Sequence, residues 1–321
     1  GKEYYRVDHL TFSPDGTRLA YWAVTLTNVM VVVDGHEQRP FAGGAELLLF
    51  SPDSRRLAYV GSVGGQMDAV VVDDQVGPVY SEINHFSFSP DSRRFGYFAT
   101  SQTGTNLLVL DGKEIAVTDR LLNDSLRFSP DGRRVAYSYG LSPKSRVVLD
   151  GQEGPGFDGL QDCFFSPDSQ RFAYFAKRGK QWGVVLDGKE VVASGEGRWD
   201  GTTVFSPDSR RFATAIGRPG KCCLWVDGHE QGEYDEIGEG SVIFSPDSKR
   251  LAYGALRAGR CLSVVDGKEG PAYEEANGLV FSPDSKRVAY WAQRVGKRFV
   301  VLDGNEGQPP RKHSGYLDYN G

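Results

Sequence analysis

The chain is poor in several things at once. It carries 4 cysteines, 2 methionines and 5 histidines in 321 residues, and Cys163, Cys222, Cys223 and Cys261 share none of the paired spacings of a metal site. Neither a disulfide framework nor a bound metal is expected, and adjacent Cys222 and Cys223 read as strand residues on opposite faces. No run of about 18 apolar residues occurs, so no membrane span is expected, and no N-terminal stretch resembles a signal peptide. Basic residues are outnumbered, 37 against 42 acidic, and the formal charge of -5 argues against general attraction to nucleic acid or an anionic membrane. Catalytic signatures are missing as well: there is no Gly-x-Ser-x-Gly elbow, His-Glu-x-x-His pair, Walker loop or dinucleotide fingerprint. No helical period of useful length competes for the chain.

What the chain has is repetition. A ten-residue motif of the form FSPDSRRLAY begins at positions 12, 50, 88, 128, 165, 205, 244 and 281, a spacing of 37 to 40 residues that suits propeller blades. Thirteen or fourteen residues after each motif an apolar run ends in Asp-Gly, as in VVVDG or WVDG, with VVVDD in the second copy alone. Each unit reads as four short strands. Strand A ends at the Phe, and Ser-Pro-Asp-Ser/Gly turns the chain, because proline is already set for the second position of a type I turn. Strand B is the RLAYWA type of segment. Strand C is the VVVDG run, whose Asp-Gly supplies the positive φ that a tight hairpin to strand D requires. Such a sheet has two apolar faces and hides them only by packing against neighbouring sheets. The expected fold is all-β: an eight-bladed β-propeller of four-stranded antiparallel blades, a single domain over residues 1–321.

The motif FSPDSRRLAY followed by VVVDG resembles the WD40-like repeat with an SPDG core, found in TolB-like propellers and in the propellers of prolyl-oligopeptidase-type peptidases. The resemblance covers essentially the whole chain, and it implies a β-propeller closed into a ring and, for its setting, a bacterial envelope or exported location. It is specific for a fold and weak for a function. The opening KEYYRVDHLTF looks like the late part of a unit, so residues 3–7 are expected to supply the outer strand of the last blade, with the tail GQPPRKHSGYLDYNG as the alternative.

Antiparallel order puts the A–B and C–D turns at one end of each blade and the B–C and D–A loops at the other. The first end is monotonous. Its turn aspartates (Asp15, Asp53, Asp91, Asp131, Asp168, Asp208, Asp247, Asp284) and the Arg three residues after each read as staples: Asp accepting turn amides, Arg pairing with it or with the next blade. The second end varies in length and chemistry. Four residues before each Phe, near the expected channel mouth, stand Asp8, Glu46, Asn84, Asp124, Gln161, Gly201, Gly240 and Asn277, and His9, His85 and Asp162 follow three of them. Asp8, His9, Glu46, Asn84, His85, Asp124 and Asp162 are therefore the candidate ligand-binding set, although polar lining of a water-filled channel explains them equally well. On the rim, Trp199, Arg257, Arg260, Arg294 and Lys297 are the candidate interaction residues, with mutual solvation by Glu233, Asp235, Glu236, Glu239, Glu274 and Glu275 as the plainer account.

The expected function is a non-enzymatic scaffold, a monomer binding a protein or peptide, or a ligand, through the B–C/D–A end, with no cofactor and no catalytic residue. Two rival readings stand beside it: a hydrolase, lyase or metal-dependent enzyme with its site at the channel mouth, and a repeat protein with no specific partner.

Overall fold

The computed structural model describes residues 2–43, 47–122, 125–141, 143–193 and 202–307. They form two compact units, residues 1–178 and 179–321. Among the described residues all regular structure is β, in eight antiparallel sheets that follow the eight repeats. This is the blade arrangement of a β-propeller.

In the first unit the first sheet is Arg6–Phe12, Leu19–Val24, Val29–Val33 and His36–Glu37, paired in chain order. Three more sheets repeat that order, and strands A and B of the fifth repeat, Gly159–Phe165 and Phe172–Arg178, complete the unit. The second unit holds strands C and D of the fifth repeat, Gln181–Leu186 and Lys189–Ala193, and the sheets of repeats six to eight. Strand D is the weakest element: in the first, fourth, seventh and eighth repeats it is two residues long.

The turns behave as their residues dictate. In the first Ser-Pro-Asp turn Gly16 N–H donates to Ser13 O at 2.8 Å, and in the second Ser54 N–H donates to Ser51 O at 2.9 Å. The last turn residue is left-handed in every copy: six serines with φ of 63 to 66° and two glycines, Gly16 and Gly132, at 72°. The C–D hairpins turn on Asp34 and Gly35 (φ 52° and 81°) and their equivalents, the primed turn that matches strand twist. In the second repeat Asp74 takes the glycine place with φ 64°.

Apolar clusters lie between consecutive sheets. Trp22, Val31 and Val33 of the first pack on Phe50, Leu57 and Tyr59 of the second, with the rings of Trp22 and Tyr59 edge to face at 5.8 Å. A similar cluster joins Leu224 and Tyr234 of the sixth sheet to Leu251, Tyr253 and Val264 of the seventh.

The expected role of the opening segment is corrected. Arg6 and Val7 pair with Val24 and Ala23, and Tyr5 N–H donates to Val24 O at 2.9 Å, so this stretch is strand A of the first sheet. The outer strand of the last sheet is its own Asn305–Glu306, paired with Leu302 and Val301. The physical reason is register: an Asp-Gly hairpin hands its following residues straight back to strand C, as happens in every repeat. The rest of the tail lies outside the described residues.

Candidate functional site

At the A–B/C–D end the turn serines, turn aspartates and motif arginines are bonded within the fold. Each turn aspartate accepts the hydroxyl of its own turn serine, as Asp15 does from Ser13 at 2.7 Å and Asp53 from Ser51 at 2.6 Å, and also a turn amide. These bonds, from the serine first and the amide second, hold Asp15 down at about 2, and the same causes lower Asp53, Asp131, Asp208, Asp247 and Asp284. The serine bond likewise leads in lowering Asp91. The aspartate's own N–H then donates to the left-handed serine of the next repeat: Asp15 to Ser54, Asp53 to Ser92, Asp131 to Ser169, Asp208 to Ser248 and Asp247 to Ser285, at 2.9 to 3.0 Å.

The motif arginine does not take this aspartate as its main partner. Arg18 pairs with Asp34 of its own C–D turn at 3.0 Å, donates to Ser54 O and Arg55 O of the next repeat, and lies 5.2 Å from the centre of the Phe50 ring. Arg56, Arg134, Arg211 and Arg250 repeat all three contacts. Asp34 also accepts Leu19 N–H at 2.9 Å, so one carboxylate fixes both the arginine and the start of strand B.

The candidate residues near the start of strand A occupy a β-bulge. The register slips after Asp8, between Asn84 and Phe86, and between Gln161 and Cys163. His9 and His85 are the extra residues of their bulges and have φ of 52° and 40°, a conformation more usual for glycine. Asp8 pairs with Arg6, and the His85 ring lies against Phe98 with centres 5.9 Å apart. Asp8, Asn84 and Gln161 thus hold corresponding places on three different sheets, and Asp162 holds the place of His9 and His85. No group of three or more His, Cys, Asp or Glu able to hold a metal occurs among the described residues. Glu46, Asp124 and Trp199 lie outside the described residues.

The rim charges are largely spent on one another. Arg257 grips Glu269 with two bonds of 2.6 and 2.7 Å, donates to Glu233 O and lies over the Tyr234 ring at 4.8 Å. Arg294 pairs with Glu306 at 2.7 Å and lies over Tyr273 at 5.1 Å. Arg257 holds the Glu269 carboxyl below the ordinary range. Lys221 pairs with Asp235 at 2.8 Å, and Asp235 and Glu274 accept the amides of the left-handed turn residues Ala258 and Val295. Arg260 and Lys297 stand exposed beside those turns. The guanidinium groups of Arg257 and Arg294 therefore work as ties between repeats.

One concavity departs from the repeat. In the second unit a cavity of about 340 Å³ opens between the seventh and eighth sheets at their B–C/D–A end, lined by Glu236, Glu239, Leu256, Cys261, Ser263, Asn277, Leu279 and Tyr290 among others. Two local features make it. Strand A of the seventh repeat is split into Glu236–Ile237 and Ile243–Phe244 by the Gly238–Ser241 segment. The cross-strand pair behind it is Gly254 and Ser263, where the first and eighth repeats pair Trp22 with Val31 and Trp291 with Val300. Gly240 and Asn277, singled out by their place before Phe, both line the cavity. Gly254 and Ser263 were missed, although their departure from the other seven copies is visible once strands B and C are aligned.

The fold and this site define a β-propeller repeat protein with a built hollow at its variable end. No family model matches the chain, and no curated protein matches it. Among solved structures, a eukaryotic initiation factor shares 15% identity over 96% of this chain and 89% of its own, with a TM-score of 0.50. The propeller domain of the trilobed protease from Pyrococcus furiosus shares 14% identity over 84% and 98%, with a TM-score of 0.39. TolB from Acinetobacter baumannii shares 16% over 70% and 62%, with a TM-score of 0.33. At such identities the likeness speaks to fold alone.

Proposed function

We propose that this chain is a non-enzymatic binding scaffold that takes a protein or peptide partner on its B–C/D–A end. The observation that carries this reading is the placing of exposed apolar side chains. Leu26 (89% exposed), Leu141 (59%) and Val63 (43%) all stand in or beside B–C connections of the first unit. Apolar groups set among saturated polar ones make contact surface that loses little by desolvation, and such positions serve as anchors. The opposite end repeats one pattern from blade to blade, and its turn aspartates and motif arginines are already bonded within the fold.

The test is selection from a random peptide library on the wild-type protein, followed by affinity measurement on Leu26→Asp and Leu141→Asp. Selected peptides are expected to bind the double variant at least tenfold more weakly, and to be indifferent to Arg55→Glu at the other end. Peptides that bind the wild type and the double variant equally would defeat the proposal.

A further inference from the structure

We infer that the cavity between the seventh and eighth sheets is a binding site for a small aromatic amine of indole size. This goes beyond the partner surface proposed above and rests on different residues in the other unit. The space is at the lower end of the range of about 300–1,000 Å³ usual for ligand pockets. Its shape is legible from the repeat itself. The fourth position of strand B is Trp22, Val60, Phe98, Ser138, Phe175, Ala215 and Trp291 in the other repeats; Gly254 has no side chain there, and measured against the first and eighth repeats the volume of an indole is missing.

The polar chemistry of the same pair has changed with the volume. Strand C carries Val31, Val70, Leu108, Val147, Val184, Leu224 and Val300 at the position of Ser263. Ser263 is 3% exposed, lines the cavity, and its Oγ has no hydrogen-bond partner among the described residues. A buried hydroxyl left so is destabilising, and a bound acceptor or donor would satisfy it. In the first repeat the reverse holds: the Trp22 N–H is buried without an acceptor among the described residues, opposite Val31. An indole at the place of the missing Gly254 side chain has Ser263 as its cross-strand neighbour, where Trp22 has Val31. The walls suit its ring, with Leu256, Leu279 and the Tyr290 ring around the hollow. At the same end Glu236 and Glu239 are exposed and line it, so the charge favoured on the ligand is positive.

Calorimetric titration with tryptamine, indole and indole-3-propionate tests the assignment. One saturable site is expected, with tryptamine tightest and indole-3-propionate weakest. Ser263→Val should weaken tryptamine and indole alike by about tenfold, the loss of one hydrogen bond. Glu236→Gln with Glu239→Gln should bring tryptamine down to the affinity of indole and leave indole unchanged. Gly254→Trp with Ser263→Val restores the pair of the first and eighth repeats; it should abolish binding and raise the thermal midpoint by filling the hollow. A Cβ at Gly254 would make only ordinary contacts, 3.5 Å from Ser241 Cβ, and Ser263→Val alone decides the matter if the double variant does not fold. Absence of saturable binding by all three probes, or tryptamine affinity unchanged by Ser263→Val, would overturn the proposal. Leu26→Asp and Leu141→Asp should leave these titrations unchanged, which keeps its failure separate from that of the peptide surface.

Discussion

Ser92 sits at φ 63°, a conformation that costs a side chain roughly 1–2 kcal/mol relative to glycine. Glycine holds this place in two repeats, so the backbone does not demand serine. The hydroxyl explains the choice: it accepts Asp53 N–H at 2.9 Å from the preceding repeat, and Ser92 is 3% exposed. At Gly132 the Asp91 carboxylate occupies the place a Cβ would take, so a serine there would have to push that side chain aside. Two substitutions separate strain from bonding. Ser92→Ala keeps the strain and strands a buried N–H, at a cost of about 1–3 kcal/mol. Ser92→Gly strands the same N–H but relieves the backbone, so its loss should be smaller by about 1 kcal/mol. Urea unfolding of both variants reads the difference, and equal midpoints for Ala and wild type would show that the hydroxyl bridge contributes nothing.

At the scale of elements, the arginine staple ties three pieces of chain together. Arg250 binds Asp266 at 2.8 Å, donates to Ser285 O and Lys286 O of the eighth repeat, and lies 5.2 Å from the centre of the Phe281 ring. A planar fork makes these contacts at once; a lysine ammonium makes one of them at a time. Arg250→Ala should cost about 2–3 kcal/mol and Arg250→Lys nearly as much. Arg287, whose side chain is 57% exposed against 30% for Arg250, pairs with Asp303 at 2.9 Å. Its replacement by Ala should cost about 1 kcal/mol or less. Chemical denaturation of the three variants checks the order, and a lysine that fully rescues position 250 would reduce the staple to a simple charge. The strands and turns were legible in the sequence because eight copies repeat the same turn chemistry. The partner of Arg250 was not, because Asp247 is three residues away and Asp266 sixteen, and only the C–D hairpin brings Asp266 close. The bulges at His9 and His85 stayed hidden for a similar reason: one extra residue in strand A leaves composition and spacing unchanged while turning the side chains that follow it. Arg257 and Arg294 read as rim charges in sequence, and their three-dimensional pairing with Glu269 and Glu306 was not legible there, because the partners lie twelve residues on and strand D has to fold back to reach them.

Taken as a whole molecule, the chain carries an excess of carboxylates, 42 Asp and Glu against 37 Lys and Arg, and spends many of them on its turns. The turn carboxyls of Asp15, Asp53, Asp91, Asp131, Asp208, Asp247 and Asp284 all lie below their ordinary value, through bonds from the turn serine first. Unfolded aspartate titrates near pH 3.9, roughly. Because the folded values are lower, the unfolded chain binds more protons in acid, and stability must fall as pH falls. The contribution is fully present above about pH 5 and drains away from about pH 4 down through the folded value, which for Asp15 is about 2. Each group is solvent-facing and gives little alone, but seven titrating in one window steepen the same transition. The urea midpoint of the wild type should therefore be level between pH 7 and about pH 5 and drop steeply between about pH 4 and pH 2. Asp53→Asn with Asp131→Asn removes two of the titrating groups, so the variant should start less stable at pH 7 and lose less on acidification. Parallel curves for variant and wild type would mean that the acid sensitivity resides elsewhere, in ties such as Arg257–Glu269 and Lys221–Asp235, where it would also weaken with added salt.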